Sequence, residues 1–148
     1  MSIEVLGVSE VVSSLHRLGE EYPRRFIREA TQELHGFAVK RASEHSKTGL
    51  MERSISLSVH NLVGKVFIEN NPQMLRDGVN YGIFVHFGTR PHSILPKNKK
   101  ALRWADNGVF HFAKRVSHPG YKGDPFLYDA LKDTEKIIEK IARGVRDD

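Results

Sequence analysis

Between Pro23 and about His45, apolar residues recur at three-and-four spacing: Phe26, Ile27, Ala30, Leu34, Phe37 and Ala38, with Arg24, Arg28, Glu29 and Lys40 on the other faces. That period predicts one long amphipathic helix. Pro23 opens it in the first turn, and at 1.5 Å per residue it runs roughly 35 Å. Ahead of it, Ile3–Leu6 reads as a short edge strand, and Ser9 caps a first helix with Val8, Val11, Val12, Leu15 and Leu18 on one face. Lys47-Thr48-Gly49 ends the long helix, and the period then drops to two. Ser54-Ile55-Ser56-Leu57-Ser58-Val59 alternates strictly, as a strand with one buried face does. Val63–Glu69 predicts a second strand joined to it as a hairpin, and residues 70–80 read as loop. Tyr81, Ile83, Val85 and Phe87 alternate with Gly82, Phe84 and His86, predicting a third strand. Val109–Val116 predicts a fourth, with Phe110 and Phe112 on one face. Asp124-Pro125 opens a last helix, an acidic N-cap followed by proline. Leu127, Ala130, Leu131, Ile137, Ile138 and Ile141 line its face, and Arg143–Asp148 is expected to fray. The order predicts an α+β fold: N-terminal helices (one long) and a C-terminal helix packed on an antiparallel sheet of about four strands, with an extended basic loop. Without a repeat or linker, residues 1–148 read as a single domain.

Composition alters this picture little. The chain has 148 residues, 39% hydrophobic and 28% charged, as an ordinary globular protein does. With no cysteine, disulfides and thiolate metal sites are out. The opening Met-Ser-Ile-Glu-Val lacks the basic and apolar regions of a secretory signal. No apolar run approaches the roughly 20 residues of a membrane span. The expectation is a soluble intracellular product with no membrane role.

Charge is more informative because it is local. From Arg90 to Lys122 eight Lys or Arg stand against one acid, Asp106, a net of +7 in a chain whose total is +5. The remainder therefore sums to −2. A concentrated basic segment usually faces something acidic. Arg90, His92, Lys97, Lys99, Lys100 and Arg103 are the candidate contacts for an acidic partner or for DNA phosphates, together with Lys114 and Arg115. Trp104 reads as a partial core anchor, so the segment resembles a mobile charged arm more than a base-stacking platform.

Catalytic constellations are not signalled. His86, His92, His111 and His118 fall in or beside the basic segment, but no HxxxH pair or carboxylate accompanies them at metal-ligand spacing. There is no GxSxG elbow, no GxxxxGK[ST] phosphate loop, and no pair of strand carboxylates for two-metal chemistry. No catalytic residue, cofactor or metal is assigned. Gly88 and Gly120 each follow a strand-like run and read as positive-φ turn residues.

The residues also carry a resemblance. Tyr81-Gly82-Ile83-Phe84-Val85-His86-Phe87-Gly88-Thr89 resembles the Y-x-x-F-V-E-F-G-T signature of the lambdoid-phage tail-component family. The likeness continues through Arg90-Pro91-His92, Ile94-x-Pro96-Lys97, Lys100-Ala101-Leu102, His118-Pro119-Gly120 and Pro125-Phe126-Leu127, with Ala130 in the last helix. Earlier, Thr48-Gly49-Leu50 and Ser54-Ile55 are similar to the family's T-G-x-L-x-x-S-I. Together these span roughly residues 2–135. His86 departs from the pattern, where the family commonly carries Glu. The resemblance implies a non-enzymatic morphogenesis protein of a long-tailed bacteriophage or prophage, acting in tail completion or head–tail joining. It implies a homo-oligomer, commonly a six-fold ring when assembled, whose subunit can be a monomer in isolation. Its neighbours would be connector or tail-tube proteins, with double-stranded DNA passing non-specifically through the lumen. Location would be the virion tail or neck, and the bacterial host cytoplasm during assembly. Two other readings stand beside it: a small basic RNA-binding protein or ribonuclease toxin using Lys, Arg, His and Tyr, and an adaptor domain with no nucleic-acid role.

Overall fold

A computed structural model describes residues 2–6, 19, 21–46, 48–76 and 79–147. The helix expected after Ser9 lies outside the described residues. Strand β1 (Ser2–Leu6) is followed by the long helix α1 (Glu21–Ser43) and a single-turn helix α2 (Leu50–Arg53). Strands β2 (Ile55–His60) and β3 (Val63–Ile68) form the expected hairpin. The three strands make one antiparallel sheet in the order β1-β3-β2, so β1 is an edge strand as its length suggested. A short ladder, β4 (Leu75–Arg76) with β5 (Val79–Asn80), follows a 3-10 turn at Pro72–Met74.

Helix α1 covers the sheet with the face its period marked: Phe26, Ile27, Ala30, Thr31, Leu34, Ala38 and Ala42 are buried. The approach to β3 is close. A Cβ on Gly64 would fall 1.8 Å from Thr31 Oγ1, so no larger residue fits beneath the helix there. The last helix, α4 (Phe126–Asp147), runs antiparallel to α1. Phe126, Leu127 and Ala130 meet Leu34, Ala38 and Ala42, whereas Ile141 and Val145 meet Phe26 and Ile27. Arg41 grips Asp133 from two nitrogens, 3.0 and 2.6 Å from the same carboxylate oxygen. The tail expected to fray is helical through Asp147, because Val145 is only 2% exposed and anchors it. No helix among the described residues is long and apolar enough to cross a membrane.

The α+β class and the two long helices are as the pattern indicated, and two strands are not. Residues Tyr81–Phe87, expected as a strand, form helix α3. Asn80 decides it: its Oδ1 accepts from Gly82 N at 2.9 Å as an N-cap, while its Nδ2 donates to Glu69 O at 3.1 Å. Gly82 and His86, four apart, face the core, and Phe84 and Phe87 face outward. A seven-residue apolar run fits either period. The strand expected at Val109–Val116 is two strands that belong to separate ladders. β8 (Val109–Ala113) pairs with β7 (Leu102–Asp106), and β9 (Val116–His118) pairs with β6 (His92–Ile94). Neither joins the body sheet, which among the described residues has three strands rather than about four.

Candidate interaction arm

What reads in sequence as an extended basic loop is therefore an ordered arm. It leaves the body at Gly88 and returns at Gly123. Thr89 and Tyr121 close its base as an antiparallel bridge, with N–O distances of 2.7 and 2.9 Å. Two motif glycines allow the legs to meet. A Cβ on Gly88 would sit 2.2 Å from the Tyr121 carbonyl oxygen, and one on Gly120 2.5 Å from that of Thr89. Both also hold positive φ, 78° and 86°. Gly123 makes a third such approach, against Gly88.

Motif pieces thirty residues apart in sequence thus converge. Gly88, Thr89, His118, Pro119 and Gly120 all belong to this clasp, whereas Thr48 and Gly49 lie in the turn that opens α2. Above the clasp, His92 and His118 face each other across the β6–β9 ladder with rings stacked at 4.9 Å. His92 Nδ1 donates to the Arg90 carbonyl, and His118 Nδ1 accepts from Gly120 N. Arg115, just ahead of β9, donates twice to Ser93 of β6. Arg90 is exposed beside Gly120, and Lys97, Lys99 and Lys100 are exposed on the link to β7.

The arm ends in the β7–β8 ribbon, turned by Asn107-Gly108 with φ of 48° and 81°. This is the Asn-Gly signal of a two-residue hairpin. It stands in the sequence between two strand-like runs and would have located the ribbon. Register sorts the side chains into two faces. Arg103, Ala105, Phe110 and Phe112 share one, and Trp104, His111, Asp106 and Val109 share the other. Arg103 lies 4.5 Å over the Phe110 ring, and Trp104 stacks on His111 at 5.4 Å. Trp104 is not a core anchor: it is 44% exposed, with Phe110 at 57% and Phe112 at 67%. From Phe87 to Pro125 no residue is buried.

One buried polar group stands at the arm's root. His86 is 2% exposed, packed edge-on against Phe87 and Phe126 and beside Tyr128, with no hydrogen-bond partner at either ring nitrogen. Burial pushes its pKa below the ordinary histidine value, against the opposing pull of Asp124 and Asp129. Thr89 Oγ1 in the clasp is also without a partner. Asp124, expected as a helix cap, takes His45 Nε2 on its carboxylate at 2.8 Å and so links the end of α1 to the start of α4. Among the described residues no group of three or more His, Cys, Asp or Glu side chains is placed to hold a metal ion. Comparison of the chain with protein-family models, with curated proteins and with solved structures finds no match to any of them.

Proposed function

We propose that this chain is a non-enzymatic morphogenesis protein of a long-tailed bacteriophage or prophage, one that completes the tail or joins head to tail as part of a ring around the DNA channel. The observation that carries the reading is the arm. About a quarter of the chain projects without contributing a buried residue, and its tip exposes large apolar side chains on both faces. A monomer gains nothing by holding Trp104, Phe110 and Phe112 in water, whereas a subunit with neighbours to engage does. The motifs that resemble the tail-component family support the same reading, because several of them build the clasp that holds the arm. The cationic root beneath the tip suits an acidic neighbour in the connector or tail tube. DNA contact is secondary, since a channel in which DNA slides must not grip it through many phosphates.

The test is charge reversal in a strain that produces the particle. Lys97→Glu, Lys99→Glu and Lys100→Glu together leave the fold intact, because all three side chains are exposed. Unjoined heads and tails are the expected product. Infectious particles at wild-type yield would remove the arm from the joining role. The ribonuclease alternative draws on the stacked His92–His118 pair in a basic setting. RNA cleavage that disappears in His92→Ala would favour it instead.

A further inference from the structure

The body carries a second exposed aromatic patch, and it complements the arm. Phe84 and Phe87 project from α3 one turn apart, and Phe87 and Tyr128 flank the His86 ring at 4.7 and 5.0 Å. All three are among the exposed large hydrophobic residues. Two carboxylates stand beside them. Asp129 follows Tyr128 in sequence, and Asp124 is fixed by its backbone N–H to the Val85 carbonyl at 2.8 Å. Lys132 reaches one oxygen of Asp129 at 3.0 Å, and Asp124 holds His45 Nε2 at 2.8 Å on one of its own.

We propose that the Phe110–Phe112 face of the ribbon docks on a second copy of this chain, against the patch formed by Phe84, Phe87 and Tyr128. This rests on the reading of the arm as a joint and names its first contact. Charge selects the face. Arg103 lies over Phe110 on the docking side and meets Asp124 and Asp129, while the opposite side ends in Asp106, which those carboxylates repel. Within one chain no ring contact joins ribbon to patch among the described residues. The two surfaces are different, so the contact is head-to-tail and propagates from copy to copy until it closes. Aromatic side chains meeting at the centre, with an arginine at the edge, are the composition that dominates binding at interfaces.

Sedimentation velocity on the full chain tests it. The wild-type chain associates as its concentration rises. Phe110→Ser with Phe112→Ser weakens association at least about tenfold, as expected for residues at an interface centre. Phe84→Ser with Phe87→Ser does the same from the other side. Mixing these two doubly substituted chains gives a one-to-one dimer, since one retains an intact patch and the other an intact ribbon. Because Phe87 packs on His86, a charge exchange provides a test that leaves this packing untouched: Arg103→Glu dissociates the assembly and Asp129→Arg in the same chain restores it. A wild-type chain that stays monomeric up to its solubility limit overturns the proposal. So does association that ignores the ribbon substitutions, or a mixture that fails to form the dimer when both variants are folded. Particle joining that survives loss of the patch removes this contact and leaves the broader function standing, whereas the lysine reversals above test that function independently.

Discussion

At His86 this fold bears an identifiable cost. Its ring fills a site between Phe87, Phe126 and Tyr128 and leaves both nitrogens unpaired, and a buried unpaired polar group costs about 1–3 kcal/mol. Burial holds its folded pKa below the unfolded value, which is about 6.5. As pH falls through 6.5 the unfolded chain takes up a proton that the folded chain refuses, so protonation favours unfolding. Stability from this group is complete above that pH and is lost as pH drops toward the folded pKa. Thermal melts between pH 7.5 and pH 5.5 are therefore expected to fall with acidity, and His86→Phe is expected to flatten the dependence and raise the melting temperature. An unchanged slope in His86→Phe would show that another group is responsible. At this scale the sequence was partly legible. The positive φ of Gly88 and Gly120 could be read from their place after apolar runs, but their contact with each other's strand could not, because it joins residues more than thirty positions apart. Trp104 misled for a related reason: its size argues for burial only if some element comes to cover it.

Among the elements, pattern located what a single face determines and failed where the period was short. Helix α1 and the β2–β3 hairpin each repeat over enough residues to fix a period, and both formed close to their expected bounds. Tyr81–Phe87 gave seven residues, all but Gly82 apolar or aromatic, and a capping asparagine just outside the run turned it into a helix. The packing of α1 on β3 predicts that Gly64→Ala destabilises the protein by about 1–3 kcal/mol, the usual cost of an extra methyl in a filled space. Urea denaturation measures this directly; a midpoint equal to wild type would mean that Thr31 moves aside freely. The clasp predicts a different signature. Gly120→Ala drives a methyl into the Thr89 carbonyl at positive φ, so the amides of Thr89 and Tyr121 are expected to exchange at least about tenfold faster, while those of α1 and α4 keep their protection. Faster exchange throughout the body would show that the clasp is part of the core and not merely its appendix.

The whole molecule divides into a body that carries its stability and an arm that carries its charge. All of the buried hydrophobic residues lie outside residues 87–125, and within that stretch residues 90–122 hold seven net positive charges where the full chain holds five. A segment that buries nothing contributes little to the hydrophobic term that dominates folding, so its removal should leave the body folded. The geometry states where to cut. Thr89 and Tyr121 already face each other as an antiparallel pair, and a two-residue Asn-Gly turn closes such a pair. Replacing residues 90–120 by Asn-Gly removes Arg90, Lys97, Lys99, Lys100, Arg103, Lys114 and Arg115 with the single acid Asp106, and takes the net charge from +5 to −1. The shortened chain is expected to keep a cooperative melt within a few degrees of wild type, to elute as a monomer, and to lose any salt-dependent attraction to acidic partners. Calorimetry and light scattering on the two chains make the comparison. A shortened chain that fails to fold would mean that the arm supports the core through contacts weaker than burial. One that folds and still self-associates would move the joint from the arm to the body.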